Sequence, residues 1–340
     1  MRSLFIGLVF IGLAATVGAR AESVIVLNSD DASYSIIDRA SRTEIARLPV
    51  GREPHHLIET PDKKELLIGS TVTNELLSLD TTTGEKRRLV RDIVDPYQLA
   101  YSPDGKWFVT TAYRLDHIDV YQADGFKLVS RVFIDGLPSH LDFDQESKTV
   151  FVTLQQTGRV VAFDFATQAI KWNVEVGKAP AGIVMLPDNK RILVANTGED
   201  GIVMLDPKDG TITGRLQTGK GAHNFWPMGD GRRYFLSNRI ENVVSILDTQ
   251  EMKVVGSIPI TGGPDDMVVT PDGKELWVTQ RFIRRVAVVD IAQMKVVASI
   301  RVGKSPHGLY VFKGNFVPPA GTPTATGAPV RAASTEGDRK

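Results

Sequence analysis

Residues 51–57 read Gly-Arg-Glu-Pro-His-His-Leu, and a related start to an apolar strand recurs about every 42 residues along the chain. The six further starts are D-P-Y-Q-L (95–99), G-L-P-S-H-L (136–141), G-K-A-P-A-G-I (177–183), G-K-G-A-H-N-F (219–225), G-G-P-D-D-M (262–267) and G-K-S-P-H-G-L (303–309). A repeat of this length is typical of one four-stranded propeller blade. The seven starts therefore predict an all-β fold, a seven-bladed β-propeller.

The unit that begins at residue 95 shows how each blade is built. Residues 98–101 predict the inner strand, and the Ser-Pro-Asp-Gly turn at 102–105 follows, with proline fixing φ and glycine supplying a positive φ. Alternating apolar residues at 107–111, 118–121 and 126–133 predict the second, third and outer strands. The same order recurs in the other units.

The two ends of the chain complete one blade between them. Residues 23–50 contain three later strands of a unit but no opening strand, whereas 306–312 is an opening strand with no followers. Pairing them leaves no unpaired sheet edge at the seam. The N- and C-terminal strands are therefore predicted to share the closing blade.

The first 21 residues have the pattern of a signal peptide. Arg2 precedes an apolar run at 4–17, and Ala19-Arg20-Ala21 forms a cleavage site. We expect cleavage after Ala21, a periplasmic or secreted protein, and no membrane span after cleavage. The propeller is then expected over 22–313, and the Pro-, Ala-, Thr- and Gly-rich stretch 314–340 predicts a disordered tail.

Charge and cysteine content exclude several classes of function. The chain has 40 basic and 40 acidic residues, and loss of Arg2 and Arg20 on cleavage changes the formal charge from 0 to −2. A near-neutral protein has no bulk attraction to nucleic acid, so we expect no such partner. With no cysteine, the chain cannot carry covalent c-type haem, a catalytic thiolate or Cys-ligated zinc.

The second strands carry a family resemblance. They read Phe151-Val152-Thr153, Leu193-Val194-Ala195-Asn196, Phe235-Leu236-Ser237-Asn238 and Trp277-Val278-Thr279-Gln280. With the Pro-Asp-Gly turns, they resemble the seven-bladed propellers built from YVTN-type repeats over roughly 23–312. Those propellers also resemble the haem domain of cytochrome-type nitrite reductases, although this chain has no cytochrome c segment. The resemblance implies a periplasmic setting alongside metal, redox or haem metabolism.

Candidate functional residues occupy equivalent positions around the ring. The start of each inner strand and the loop between the second and third strands are expected on one face. Five of the six histidines in the chain fall at the inner-strand starts. The candidate ligand-binding residues at this face are His55, His56, Tyr97, Arg114, His140, Arg159, Asn196, His223, Arg239, Asp265, Arg281 and His307.

Three interpretations of the histidines remain open. They can be structural hydrogen-bonding groups. They can bind a transition metal such as copper or zinc, with His55, His223 and His307 as ligands, although neighbours such as His55 and His56 should point apart along a strand. They can also join the arginines in holding an anionic ligand, or ligate haem.

The sequence favours a binding module with a protein partner or small ligand docked at this axial face. The alternative is a metal-dependent or Asp/His-dependent enzyme at the same mouth. Asp265 and Asp266 beside His223 and His307 suit acid–base hydrolysis of a lactone or sugar. Ser139 and His140 are adjacent in sequence, which predicts poor geometry for a nucleophile and its base.

Overall fold

The computed structural model describes residues 22–312 together with Gly314 and Phe316. The predicted signal peptide and, apart from those two residues, the predicted tail lie outside the described residues. The described chain forms seven four-stranded antiparallel sheets, which confirms the predicted all-β seven-bladed propeller. Two single 3₁₀ turns, Ser29–Asp31 and Arg281–Ile283, are the helical segments of this part of the chain.

The strands are numbered in chain order, and each blade is given from the axis outward. Blade 1 contains β28 Pro306–Val311, β1 Ser23–Asn28, β2 Ser33–Asp38 and β3 Thr43–Pro49. Blade 2 contains β4 Pro54–Glu59, β5 Glu65–Ser70, β6 Glu75–Asp80 and β7 Lys86–Arg91. Blade 3 contains β8 Pro96–Tyr101, β9 Trp107–Ala112, β10 His117–Gln122 and β11 Leu128–Phe133. Blade 4 contains β12 Pro138–Phe143, β13 Thr149–Leu154, β14 Arg159–Asp164 and β15 Ala169–Glu175.

The remaining blades follow the same order. Blade 5 contains β16 Pro180–Met185, β17 Ile192–Asn196, β18 Gly201–Leu205 and β19 Ile212–Gln217. Blade 6 contains β20 Ala222–Pro227, β21 Arg233–Asn238, β22 Val243–Asp248 and β23 Lys253–Pro259. Blade 7 contains β24 Pro264–Val269, β25 Glu275–Gln280, β26 Arg285–Asp290 and β27 Lys295–Arg301.

Blade 1 closes the ring as predicted from the two chain ends. Strand β28 pairs antiparallel with β1, with Val24 opposite Val311. Each first strand contacts the first strands of both neighbouring blades, so the seven first strands surround the axis. At the seam between blades 7 and 1, Arg39 bonds Asp272 and Glu275 at 2.9 Å each. The first strands of the seven blades therefore line the axis of the closed ring.

The core lies between the blades. The second and third strands are buried nearly throughout, as in β13, because a neighbouring blade covers each of their faces. The outer strand β15 instead alternates between exposed and half-buried residues. Phe316 is 5% exposed and packs on Phe312, so contacts with the propeller continue beyond residue 313. None of the described helical segments is long or apolar enough to cross a membrane.

A β-bulge in every inner strand positions the site. In blade 2, Pro54 pairs with Ser70 but Leu57 pairs with Ile68, so β4 carries one residue more than its partner over this stretch. The same shift occurs in the other six blades. A bulge breaks the alternation of side chains along a strand. Two successive residues can therefore face the axis.

Candidate functional site

One face of the propeller opens into a cavity of about 360 Å³, here called the mouth cavity. Inner-strand starts and the loops between second and third strands supply most of its wall, as the repeat pattern predicts. Its lining residues are Ser29, Asp30, Glu53, His55, Thr71, Tyr97, Tyr113, Arg114, Gln155, Arg239 and Arg281. Five candidates from the sequence meet here, namely His55, Tyr97, Arg114, Arg239 and Arg281.

Five further candidates lie beneath the mouth cavity, all of them buried: His56, His140, His223, Asp265 and His307. The rings of His56 and His307 have centroids 4.7 Å apart, and the ring of His140 lies 5.3 Å from those of both His56 and His223. We call His55, His56, His140, His223 and His307 the axial histidine cluster. The repeat therefore does bring the five histidines together.

Two candidates do not join the site. Arg159 begins the third strand of blade 4 and turns outward, where it donates to the Asn173 side chain at 2.6 Å and to the Asn173 carbonyl at 2.7 Å. Asn196 ends β17 and donates to the Val176 carbonyl at 3.1 Å, so it braces a connection between blades. Both residues occupy the expected face, but neighbouring backbone groups engage their side chains.

Tyr113 is the aromatic lining residue that the sequence analysis did not name as a candidate. It immediately precedes Arg114 in the loop between β9 and β10. Its position beside a predicted mouth residue is the feature of the sequence that could have identified it. Its ring stacks on that of Tyr97 with centroids 4.5 Å apart. The column continues from Tyr97 to His55 at 3.9 Å and from His55 to His307 at 3.7 Å. A column of four neighbouring rings, in which the His55–His307 pair is tilted by 34°, thus connects the mouth cavity with the buried cluster.

The expectation that His55 and His56 point apart was wrong. Their Nδ1 atoms lie 2.9 Å apart, because the bulge in β4 directs both side chains toward the axis. Nevertheless, His55 alone among the five clustered histidines borders the mouth cavity. A ligand such as haem in that cavity would therefore meet one imidazole.

The expectation for Ser139 and His140 was wrong for the same reason. The bulge in β12 brings Ser139 Oγ within 2.8 Å of His140 Nδ1, a hydrogen-bonding distance. Ser139 is fully buried and His140 is 3% exposed, and neither borders the mouth cavity. The pair therefore has nucleophile–base geometry without access from this opening.

Asp265 is the electrostatic centre of the site. Its carboxylate accepts hydrogen bonds from Arg239 Nε at 2.8 Å and from Arg281 Nη1 at 3.1 Å. The Nε2 atoms of His223 and His307 lie 2.9 and 3.6 Å from its oxygens. Burial favours the protonated form, but the guanidinium of Arg239 opposes it, and the pKa of Asp265 lies well below its usual range.

The sequence also matches a family model for YNCE-like β-propellers over residues 10–316. The chain belongs to the YNCE-like β-propeller family. This agrees with the predicted relationship to repeat-built seven-bladed propellers. No curated protein matches the chain in sequence.

Solved structures resemble this YNCE-like propeller in fold. A protein of unknown function from Desulfotomaculum acetoxidans has a TM-score of 0.74 at 15% identity, covering 87% of this chain and 100% of that one. The periplasmic gluconolactonase of Pseudomonas aeruginosa has a TM-score of 0.70 at 16% identity, covering 86% of this chain and 99% of that one. The dihydro-haem d1 dehydrogenase NirN in complex with DHE has a TM-score of 0.59 at 19% identity, covering 85% of this chain and 66% of that one. Identities this low establish the shared fold alone.

The buried groups of this YNCE-like propeller titrate far from their ordinary ranges. Burial is the largest effect on the histidines and lowers the pKa of His56 and of His223 to about 4. Burial and the charge of Asp265 raise the pKa of Asp266 to about 7. At neutral pH the imidazoles are therefore uncharged, the state in which they accept hydrogen bonds or bind metals.

Proposed function

We propose that this protein is an exported binding module that holds a small planar carboxylate in the mouth cavity. The observation that carries the proposal is one cavity of about 360 Å³ in which a stacked tyrosine pair meets Arg281. Cavities of a few hundred Å³ with a few convergent polar groups typically bind small molecules. An aromatic wall favours a flat ligand, and a guanidinium favours a carboxylate.

Arg281 is the group best suited to hold the carboxylate. Among the described residues it donates one hydrogen bond, from Nη1 to Asp265. A guanidinium has five N–H donors, so Arg281 keeps several for a ligand. Arg114, in contrast, already donates to Asp95 and to the Thr71 carbonyl. The ion pair with Asp265 fixes the orientation of Arg281 before a ligand arrives.

The other charged groups of the wall limit the ligand to a low negative charge. Asp30 and Glu53 border the same cavity as Arg281. Their carboxylates would repel a polyanion but can accept hydrogen bonds from hydroxyl or amine groups. A monocarboxylate with further hydrogen-bond donors therefore fits this wall better than a phosphate ester.

A protein partner at the same face is a second candidate. Leu115, Ile240 and Phe282 each follow a lining arginine in sequence and are 50%, 60% and 61% exposed. Such apolar side chains on loop tips are suited to contacts with another protein. None of the three lines the mouth cavity, so the two candidates are compatible.

Two observations bear on export and on catalysis. The signal-peptide pattern at 1–21 supports export, and a protein of the same fold from Pseudomonas aeruginosa is periplasmic.

An Asp/His-dependent hydrolase finds less support, because the mouth cavity is not bordered by Asp265 or Asp266. A general acid or base must come within hydrogen-bonding reach of its substrate.

Calorimetric titration of the mature chain, residues 22–340, tests the proposal. The probes are 2-naphthoate, its saturated decalin analogue, which is not planar, and 2-naphthalenemethanol, which is uncharged. We expect 2-naphthoate to bind at least about tenfold more tightly than either analogue. Arg281→Gln and Tyr113→Leu should weaken it, whereas Arg284→Gln, an exposed arginine in the same loop, should not. Equal affinities for the three probes would refute the proposal.

A further inference from the structure

Four Nε2 atoms of the axial histidine cluster are buried without a hydrogen-bond partner among the described residues. They belong to His56, His140, His223 and His307. Buried polar atoms are normally satisfied by protein, water or a bound ion. Four unsatisfied imidazole nitrogens around one axis therefore indicate a missing ligand.

In each imidazole, the hydrogen bond made by Nδ1 determines whether Nε2 carries a lone pair. His307 Nδ1 lies 2.9 Å from the His55 carbonyl oxygen, which can only accept a hydrogen bond, so Nδ1 carries the proton. His223 Nδ1 lies 3.3 Å from Thr197 Oγ1, whose own proton is donated to the Ala222 carbonyl at 3.0 Å. Both neutral imidazoles consequently have their lone pair on Nε2.

These two lone pairs face the same carboxylate. Nε2 of His223 and Nε2 of His307 lie 2.9 and 3.6 Å from the oxygens of Asp265. A lone pair opposite a carboxylate oxygen is repulsive unless a cation lies between them. A metal ion removes the repulsion and needs neutral imidazoles.

The spacing also suits a metal. One ligand atom from each of His223, Asp265 and His307 lies within 4.8 Å of the other two. Two ligands bound to one tetrahedral zinc ion are separated by about 3 to 3.5 Å. His223 Nε2 lies 2.9 Å from Oδ1 of Asp265 and His307 Nε2 lies 3.6 Å from Oδ2, so each imidazole is near this spacing from a different oxygen of the same carboxylate.

We propose that His223 and His307, through Nε2, and Asp265, through a carboxylate oxygen, bind one divalent transition-metal ion such as zinc or copper. Two of the three ligands predicted from the sequence are retained, and Asp265 replaces His55. Imidazole and carboxylate are common ligands for both ions. Three protein ligands leave at least one coordination position open. The metal site and the mouth cavity share Arg281, which lines the cavity and donates a hydrogen bond to Asp265.

Two arginines form the outer shell and tune the affinity. Arg239 and Arg281 orient Asp265 through their hydrogen bonds, as outer-shell partners of metal ligands do. Their positive charges also oppose a divalent cation, so the site should bind more weakly than a structural zinc site. Replacing Arg239 with glutamine should therefore strengthen metal binding while keeping a hydrogen-bond donor near Asp265.

The test uses the untagged mature chain, stripped of metal with a chelator and titrated with Zn²⁺ or Cu²⁺ by equilibrium dialysis and elemental analysis. We expect one ion per chain, lost or weakened at least tenfold in His223→Ala and His307→Ala. His117→Ala is the matched control. His117 is also buried, its Nε2 has no hydrogen-bond partner among the described residues, and this atom lies 3.5 Å from an oxygen of Asp119. Within the described part of the chain, however, Asp119 is not grouped with a second histidine as a possible set of metal ligands. It should bind like the unsubstituted protein.

A competing location can be separated in the same experiment. His55, His56 and His307 also offer three ligand atoms within 4.8 Å of one another. If His56→Ala abolishes binding and His223→Ala leaves it intact, the assignment to His223 and Asp265 is wrong. Absence of stoichiometric uptake by the unsubstituted protein overturns the site altogether.

A readout without substitution guards against variants that fail to fold. Long-range ¹H–¹⁵N spectra of the unsubstituted protein distinguish the two nitrogens of each imidazole. Zn²⁺ should shift the Nε2 signals of two histidines, which His223→Gln and His307→Gln assign. Unchanged imidazole signals at saturating Zn²⁺ contradict the proposal.

Discussion

The Nδ1 atom of His307 lies 2.9 Å from the carbonyl oxygen of His55, and this contact joins β28, the inner strand of blade 1, to the first strand of blade 2. The two residues are 252 positions apart in sequence. This contact joins the closing blade to its neighbour at the axis and fixes the tautomer of His307. Ring closure and the proposed metal site therefore depend on the same strand, β28.

Removal of β28 should open the ring. Deleting residues 306–312 takes the inner strand from blade 1 and leaves an edge of β1 unpaired. We expect a large loss of stability, whereas deletion of 318–340 should leave the melting temperature unchanged. Thermal denaturation of both truncated proteins checks this. Equal melting temperatures would contradict the split blade as a source of stability.

A side-chain hydroxyl in the second strand should support the bulge beside it. Thr153 Oγ1 accepts a hydrogen bond from the His140 amide at 3.0 Å and donates to the Ala181 carbonyl at 2.9 Å. Thr153→Val keeps the shape but leaves buried groups unpaired, which should cost about 1 to 3 kcal/mol. Urea denaturation measures the loss. Thr157→Val, at an exposed position in the following turn, should change stability little.

A glycine permits the close approach of two inner strands. A Cβ atom on Gly182 would lie 2.3 Å from the His223 carbonyl oxygen, in the backbone of the next blade. Gly182→Ala should therefore destabilise the fold by about 1 to 3 kcal/mol, because the inner strands must separate. Gly256→Ala is the control, since its Cβ would meet the Ile246 side chain at 3.2 Å. Equal urea midpoints for the two variants would argue against tight packing at the axis.

The seam between blades 7 and 1 should be sensitive to pH. Partial burial tends to raise the pKa of Asp272, but the Thr270 hydroxyl and Arg39 hold it at about 2. A lowered folded-state pKa stabilises the protein above the unfolded value, about 3.9, and the benefit is lost as pH falls toward 2. Arg39→Leu should lower the melting temperature by about 2 to 4 °C at pH 7.

The difference should shrink between about pH 4 and pH 2, because protonated carboxylates no longer bond Arg39 as ions. Arg47→Leu serves as the control, since Arg47 pairs with Glu44 in its own strand at 2.9 Å. Melting curves of both variants across this pH range make the comparison. A difference for Arg39→Leu that grows on acidification would contradict the role of its carboxylate partners.

Part of the site could be predicted because it follows the repeat. The inner-strand starts placed His55, His223 and His307 near the axis, and the loop positions placed Arg239 and Arg281 at the mouth. The repeat could not predict that both arginines meet Asp265, because the Arg239 contact joins blades 6 and 7 and the Arg281 contact joins a loop of blade 7 to the first strand of that blade. Arg159 was expected in the mouth, but it bonds Asn173 on the neighbouring strand of its own blade instead.

The bulge had a recognisable signal. A threonine or serine in the second strand accepts the amide of the second bulge residue in four blades: Thr111, Thr153, Ser237 and Thr279. Two of these belong to the Val-Thr pairs that carried the family resemblance. Because this hydroxyl bonds the bulge amide, its presence in the second strand predicts that adjacent inner-strand residues such as Ser139 and His140 point to the same side of the strand.

The sequence by itself determined the number of blades, the split closing blade and the face that carries the histidines. Each of these follows from local turn chemistry and strand alternation repeated along the chain. The tertiary structure alone decided which imidazole nitrogens keep a free lone pair and which carboxylate they face. Those properties depend on bulge geometry and on contacts between blades, such as that of His307 with His55, which no local pattern encodes.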